Sequence, residues 1–121
     1  MPMHEPLSNA IDYIEMPSRD LAATKKFLGA LFGWTFQDYG PEYAAFDDGR
    51  MTGGFFFAED NWMSAAACPL VVFYSAELEM SRAEVVRLGG KITRDIFNFP
   101  GGRRFQFQAP GSGEFALWSD K

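Results

Sequence analysis

The chain has 121 residues, of which 47% are hydrophobic and 13 are Phe, and its formal net charge is −5. That length gives one domain with ample apolar surface for a core. The charge and the scattering of the Lys and Arg residues exclude a nucleic-acid partner, since phosphate binding needs clustered cations. The single Cys68 excludes an intrachain disulfide, and no apolar run reaches membrane-spanning length.

Residues 1–8 carry Pro2 and Pro6 and no periodicity, and they read as a short arm ahead of a single domain at 9–119. Ile11 to Met16 reads as a strand that Pro17-Ser18 ends. Asp20 is placed to open a helix over 21–32. In it Leu21, Thr24, Phe27, Leu28, Leu31 and Phe32 form one stripe at helical spacing, and Gly33 is placed to stop it. Strands follow at 34–38 and 43–46, with Gly40-Pro41 as the turn between them. Asp47-Asp48-Gly49 signals a hairpin into a strand at 52–58. Residues 59–68 read as a linker whose Trp62 folds back onto apolar surface. A strand at 70–75 leads into a helix at 77–88 with Leu78, Val85, Val86 and Leu88 turned inward, and Gly89-Gly90 ends it. A strand at 91–97 precedes the turn Pro100-Gly101-Gly102. Arg104, Phe105, Gln106, Phe107 and Gln108 then alternate with strand period, and after the turn at 109–113 a last strand spans 114–119.

The same order, strand, helix, strand, strand, strand, occurs twice, with Asp20 matching Glu77 and Gly33 matching Gly90 at one offset. The first module is 9–58 and the second 69–119. A half this small cannot bury its own apolar face, so the halves must pack together, and the space between paired sheets is where a ligand can sit. The fold class is α+β: two tandem βαβββ modules forming a curved mixed sheet around a cleft.

Four stretches carry a resemblance. They are Ser18-Arg19-Asp20-Leu21 after the first strand, Phe27 through Leu31-Phe32-Gly33-Trp34, Leu88-Gly89-Gly90-Lys91, and Phe107 through Pro110-Gly111-Ser112-Gly113-Glu114-Phe115-Ala116-Leu117-Trp118. In this order they resemble the vicinal oxygen chelate superfamily, the glyoxalase, bleomycin-resistance and extradiol-dioxygenase group. Ala109 departs from it where the family usually has Asp. The resemblance implies a cleft and, in metal-using members, four ligands of the His, Glu or Gln type on the first and last strands of each half. Carried over by spacing from Asp20, Glu77 and Pro110, and by aligning the two last strands, those positions are Tyr13, Phe56, Leu70 and Ala116. None is His, Glu or Gln, so no metal is expected there, although Glu15 and Glu114 stand nearby.

Strand parity puts Glu15 on the face of Tyr13. An acid there could hold a cationic or hydroxylated ligand or act as a base, or it could simply wet a strand end beside an Arg. Phe56 and Trp118 on the cleft faces would stack a planar ligand, or collapse into an aromatic core. Arg103-Arg104 could hold a carboxylate or phosphate, or be solvated. Gly53-Gly54 suggests a bulge or bend more than close approach of a ligand. A phosphate-cradling glycine loop and a dinucleotide fingerprint are missing, so no cofactor is expected, and nucleophilic chemistry would depend on His4 with Cys68 or a Ser, all in irregular segments.

The expectation is a metal-independent binder of a small apolar or aromatic molecule, lined by Tyr13, Glu15, Phe56, Val72, Ala116 and Trp118. Bleomycin-resistance-type members are the precedent that the resemblance supplies. The alternatives are a lyase, isomerase or dioxygenase with an atypical site and Glu15 as base, and a structural subunit with a filled cleft. A homodimer is expected from the resemblance. A cytoplasmic location is expected because the N-terminal residues lack a charged-then-apolar leader pattern.

Overall fold

The computed structural model of the chain describes residues 5–59 and 69–121. The elements run β1 (Tyr13–Ser18), α1 (Leu21–Phe32), β2 (Thr35–Asp38), β3 (Tyr43–Asp47), β4 (Thr52–Phe57), β5 (Val71–Tyr74), α2 (Leu78–Arg87), β6 (Lys91–Phe99), β7 (Gly102–Gln108) and β8 (Glu114–Ser119). They form two four-stranded mixed sheets in the orders β1-β4-β3-β2 and β5-β8-β7-β6. Each module pairs its first strand in parallel with its last and its remaining strands antiparallel. Trp62, His4 and Cys68 lie outside the described residues.

The helix starts show how closely the two modules match. Asp20 caps α1 by accepting from the Ala23 N–H at 3.1 Å, while its own N–H donates to Ser18 Oγ at 3.1 Å. At α2 the Glu77 N–H donates to Ser75 Oγ at 3.0 Å. Each serine hydroxyl also meets a hydroxyl on its helix, Ser18 with Thr24 at 2.9 Å and Ser75 with Ser81 at 2.7 Å. Gly33 ends α1 at φ 76, a left-handed value that a side chain would strain, and its N–H reaches the Gly29 carbonyl.

Two expectations need correction. Pro17 does not end β1 but lies inside it. β1 is the outer strand of its sheet and pairs with β4 alone, so a missing N–H on its other side costs no ladder bond. Val86 is 51% exposed, whereas Leu78 and Val85 are buried and Leu88 packs against the core as expected.

The modules share one core. Met16, Phe27, Leu28, Phe46 and Phe55 from the first pack with Leu78, Val85, Phe105, Phe107, Phe115 and Leu117 from the second. Phe27 and Phe107 lie 6.1 Å apart between centroids, Phe32 and Phe73 4.7 Å, and Trp34 stacks on Phe46 at 4.6 Å. Each buried ring contributes about 1.5–3 kcal/mol by leaving water. Three hydrogen bonds fasten the Pro110-Gly111-Ser112 turn to the start of the first module. Arg19 N–H donates to the Gly111 carbonyl at 2.8 Å, Thr24 Oγ1 to the Pro110 carbonyl at 2.9 Å, and Ser112 Oγ to the Pro17 carbonyl at 2.8 Å.

Candidate functional site

Strand alternation gives the first sheet two faces. Met16, Phe46 and Phe55 enter the core. Tyr13, Glu15, Tyr43, Ala45 and Asp47 take the opposite face. A groove of ≈ 390 Å³ lies over that face, lined by Tyr13, Thr35, Gln37, Tyr39, Ala45 and Asp47 with Phe36 and Phe46. Its size falls in the range of small-molecule sites, and among the described residues no Lys or Arg lines it.

At its edge three side chains are chained by hydrogen bonds. Tyr13 and Tyr43 hydroxyls are 2.6 Å apart, and the Tyr43 hydroxyl donates to Glu15 Oε2 at 2.9 Å. Burial first, then the bonds to Tyr13 and Glu15, push the Tyr43 hydroxyl well above the usual tyrosine range. Glu15 pairs with Gly54 on β4, and Gly54 with Ala45 on β3, so Tyr43 must lean across Gly54 to reach the carboxylate. A Cβ on Gly54 would lie 2.0 Å from Tyr43 Oη and 3.0 Å from Tyr13 Oη. On the other face a Cβ on Gly53 would lie 2.5 Å from the Phe46 ring. The glycine pair is therefore not a bulge: Gly54 makes room for Tyr43, and Gly53 for the Ile14 carbonyl and the Phe46 ring.

The second sheet carries Val72, Ala116 and Trp118 on one face, with Val72 paired to Ala116 and Tyr74 to Trp118. Ala116 is fully buried, and Trp118 meets Tyr74 and Phe99 edge to face at 5.2 and 6.2 Å. Val72 helps line a second groove of ≈ 330 Å³ between the modules, with Ile14, Met16, Trp34, Arg50 and Phe73. Alternation separates the two arginines of β7. Arg103 binds Glu79 of α2, while Arg104 turns to the face of Gln106 and donates to Gln106 Oε1 at 3.3 Å. They do not form a joint anion clamp.

Of the six residues expected to line one cleft, the structure joins Tyr13 and Glu15 through Tyr43, and places Val72, Ala116 and Trp118 together on the other sheet. Phe56 is half-buried, on the face of Tyr13 and Glu15. Ala116 and Trp118 line neither groove. Tyr43 escaped the sequence reading, and the paired glycines facing it were the available signal.

The strand registers also correct the alignment of the two last strands. Asp20 and Glu77 are the helix caps, so Glu15 corresponds to Val72. Glu15 pairs with Gly54 and Val72 with Ala116. Gly54, not Phe56, is the counterpart of Ala116, and Phe56 is the counterpart of Trp118.

Tandem βαβββ modules with helices packed on a shared core and open sheet faces define a glyoxalase-like α+β protein. The model of the Glyoxalase/Bleomycin resistance protein/Dioxygenase superfamily matches residues 10–116, and the chain belongs to that superfamily. The fold is similar to that of the genomically encoded fosfomycin resistance protein FosX from Listeria monocytogenes, at TM-score 0.77 and 16% identity over 93% of this chain and 94% of that one. It is similar to a glyoxalase/bleomycin resistance protein/dioxygenase family enzyme from Burkholderia phytofirmans PsJN, at TM-score 0.76 and 14% identity, covering 91% and 98%. It is also similar to a lactoylglutathione lyase from Agrobacterium tumefaciens, at TM-score 0.69 and 20% identity, covering 95% and 96%. No curated protein matches the sequence.

Proposed function

We propose that this superfamily member binds a small, apolar or aromatic molecule in the groove over its first sheet, without the family's metal. The supporting observation is the groove itself, walled by Tyr13, Tyr39 and Ala45, with the Tyr13–Tyr43–Glu15 chain at its edge. The donor set at the family's metal positions does not fit a metal. Phe56, Leu70 and Ala116 have no donor atom in their side chains, nor does Gly54 at the corrected position, and the Tyr13 hydroxyl is engaged by Tyr43. Among the described residues no group of three His, Cys, Asp or Glu is arranged to hold a metal ion.

A second reading is an isomerase- or lyase-type enzyme in which Glu15 takes a proton, since the two phenols connect it to the groove by short hydrogen bonds. A homodimer fits the exposure of Phe57, Val72 and Tyr74 on the sheets. A cytoplasmic location belongs to the same proposal, and no described helix is long and apolar enough to cross a membrane.

Native mass spectrometry of the protein, before and after incubation with Zn²⁺, Ni²⁺ and Mn²⁺, tests this reading. The expected result is a dimer mass with no stoichiometric metal, and with an organic adduct where ligand has been carried through purification. One tightly held metal per chain would overturn it. Glu15→Gln separates the two readings: it changes affinity if the groove only binds, and abolishes turnover if Glu15 is the base.

A further inference from the structure

We infer that the ligand of the first-sheet groove presents a hydrogen-bond donor carrying positive charge, an organic ammonium on an apolar body. This rests on the binding reading above and concerns the same groove. The argument follows the protons. A phenol has a single proton to give. Tyr43 gives its proton to Glu15 Oε2, so the 2.6 Å contact between the hydroxyls must be donated by Tyr13. Both phenol protons are then spent, and Tyr13, which lines the groove, offers only lone pairs to whatever enters. The ordinary expectation, that a cleft tyrosine donates to its ligand, is reversed.

The rest of the lining agrees. Among the described residues Asp47 is its one charged residue, an acceptor that already takes the Gly49 N–H on Oδ1 at 2.8 Å. Thr35, Gln37 and Thr52 can act either way. Tyr13 and Tyr39 bring aromatic rings to the groove, and rings attract cations. A carboxylate or phosphate entering here would meet Asp47 with no cation to balance it. Gly54 holds the arrangement in place, because only a glycine leaves room for both hydroxyls above β4.

Isothermal titration of the full chain with phenethylamine, phenethyl alcohol and 3-phenylpropionate tests the inference. The expected order is amine, then alcohol, then carboxylate, with the amine at least about tenfold tighter than the carboxylate, as charge-assisted hydrogen bonds are the stronger ones. Tyr43→Phe frees the Tyr13 proton, so amine affinity should fall and carboxylate affinity rise. Asp47→Asn should weaken the amine alone, and it serves as the second variant should Tyr43→Phe fold poorly by circular dichroism. Equal affinity for all three probes, or a preference for the carboxylate, would overturn the inference and leave small-molecule binding intact. Binding of none of them beside a copurified adduct that lacks an amine would also overturn the inference alone. Binding of none, with no adduct, would overturn both.

Discussion

Gly54→Ala tests whether the glycine exists to seat the two phenols. The backbone at Gly54 is ordinary strand, so alanine fits its conformation. The obstacle is the Tyr43 ring, with Oη 2.0 Å and Cζ 2.3 Å from the new methyl. Those atoms are the far end of a side chain that can swing away, so the fold survives and the hydrogen bonds do not. Losing the bond to Glu15 and the bond between hydroxyls costs about 1–1.5 kcal/mol each, because water replaces them in part. Replacing a glycine returns about 0.4–1 kcal/mol by restricting the unfolded chain. The net loss is about 1–2.5 kcal/mol, or roughly 4–12 °C in Tm for a domain of this size. Thermal and denaturant unfolding would measure it in a double-mutant cycle with Tyr43→Ala. With the ring gone, the alanine should be neutral or mildly stabilising. An equal cost in both backgrounds would refute the reasoning, since the methyl would then be colliding with something other than Tyr43.

Tyr43 also sets an alkaline limit. Its pKa is raised in the fold, so its neutral form is favoured there, and the stability it adds is present below the unfolded value of about 10 and declines as pH rises above it. Denaturant melts at pH 8 and 11 should show wild type losing more than Tyr43→Phe; equal losses would contradict this. Thr24 is fully buried and joins Ser18 Oγ to the Pro110 carbonyl, so Thr24→Val should cost about 1–3 kcal/mol by leaving that carbonyl and the Ser18 hydroxyl proton unmatched. On α2, Val85→Ala should cost about 1–3 kcal/mol while Val86→Ala should stay within about 0.5 kcal/mol, by the same melts. Comparable costs would show that the helix face has been misassigned.

Where a single residue determines local geometry, the sequence was enough. Asp20 and Gly33 bracket α1 at 21–32 as expected, because a capping carboxylate and a left-handed glycine act within a few residues of themselves. β8 also falls at 114–119 as expected, bounded by its glycine turn. β1 ends two residues later than expected because Pro17 reads as a stop unless its pairing partner is known. The misaligned last strand has a related cause. A two-residue slip keeps every side chain on the same face, so parity cannot detect it, and only the ladder pairing Glu15 with Gly54 does. Parity likewise put Tyr13 and Glu15 on one face but was silent on Tyr43, whose reach to Glu15 depends on three strands lying side by side.

The Pro110–Ser112 turn has a consequence for the order in which this protein can be completed. The partners it joins are separated by 86 residues for Thr24 and 95 for Ser112. On a ribosome the first module emerges with Phe27 facing no Phe107 and with the Pro17 carbonyl unmatched. These needs are met only once residue 112 is out. Contacts this distant in sequence are slow to form. The turn at 110–112 is thus a contact of high sequence separation, and damage to it should leave the surfaces of the first module that it covers exposed to aggregation.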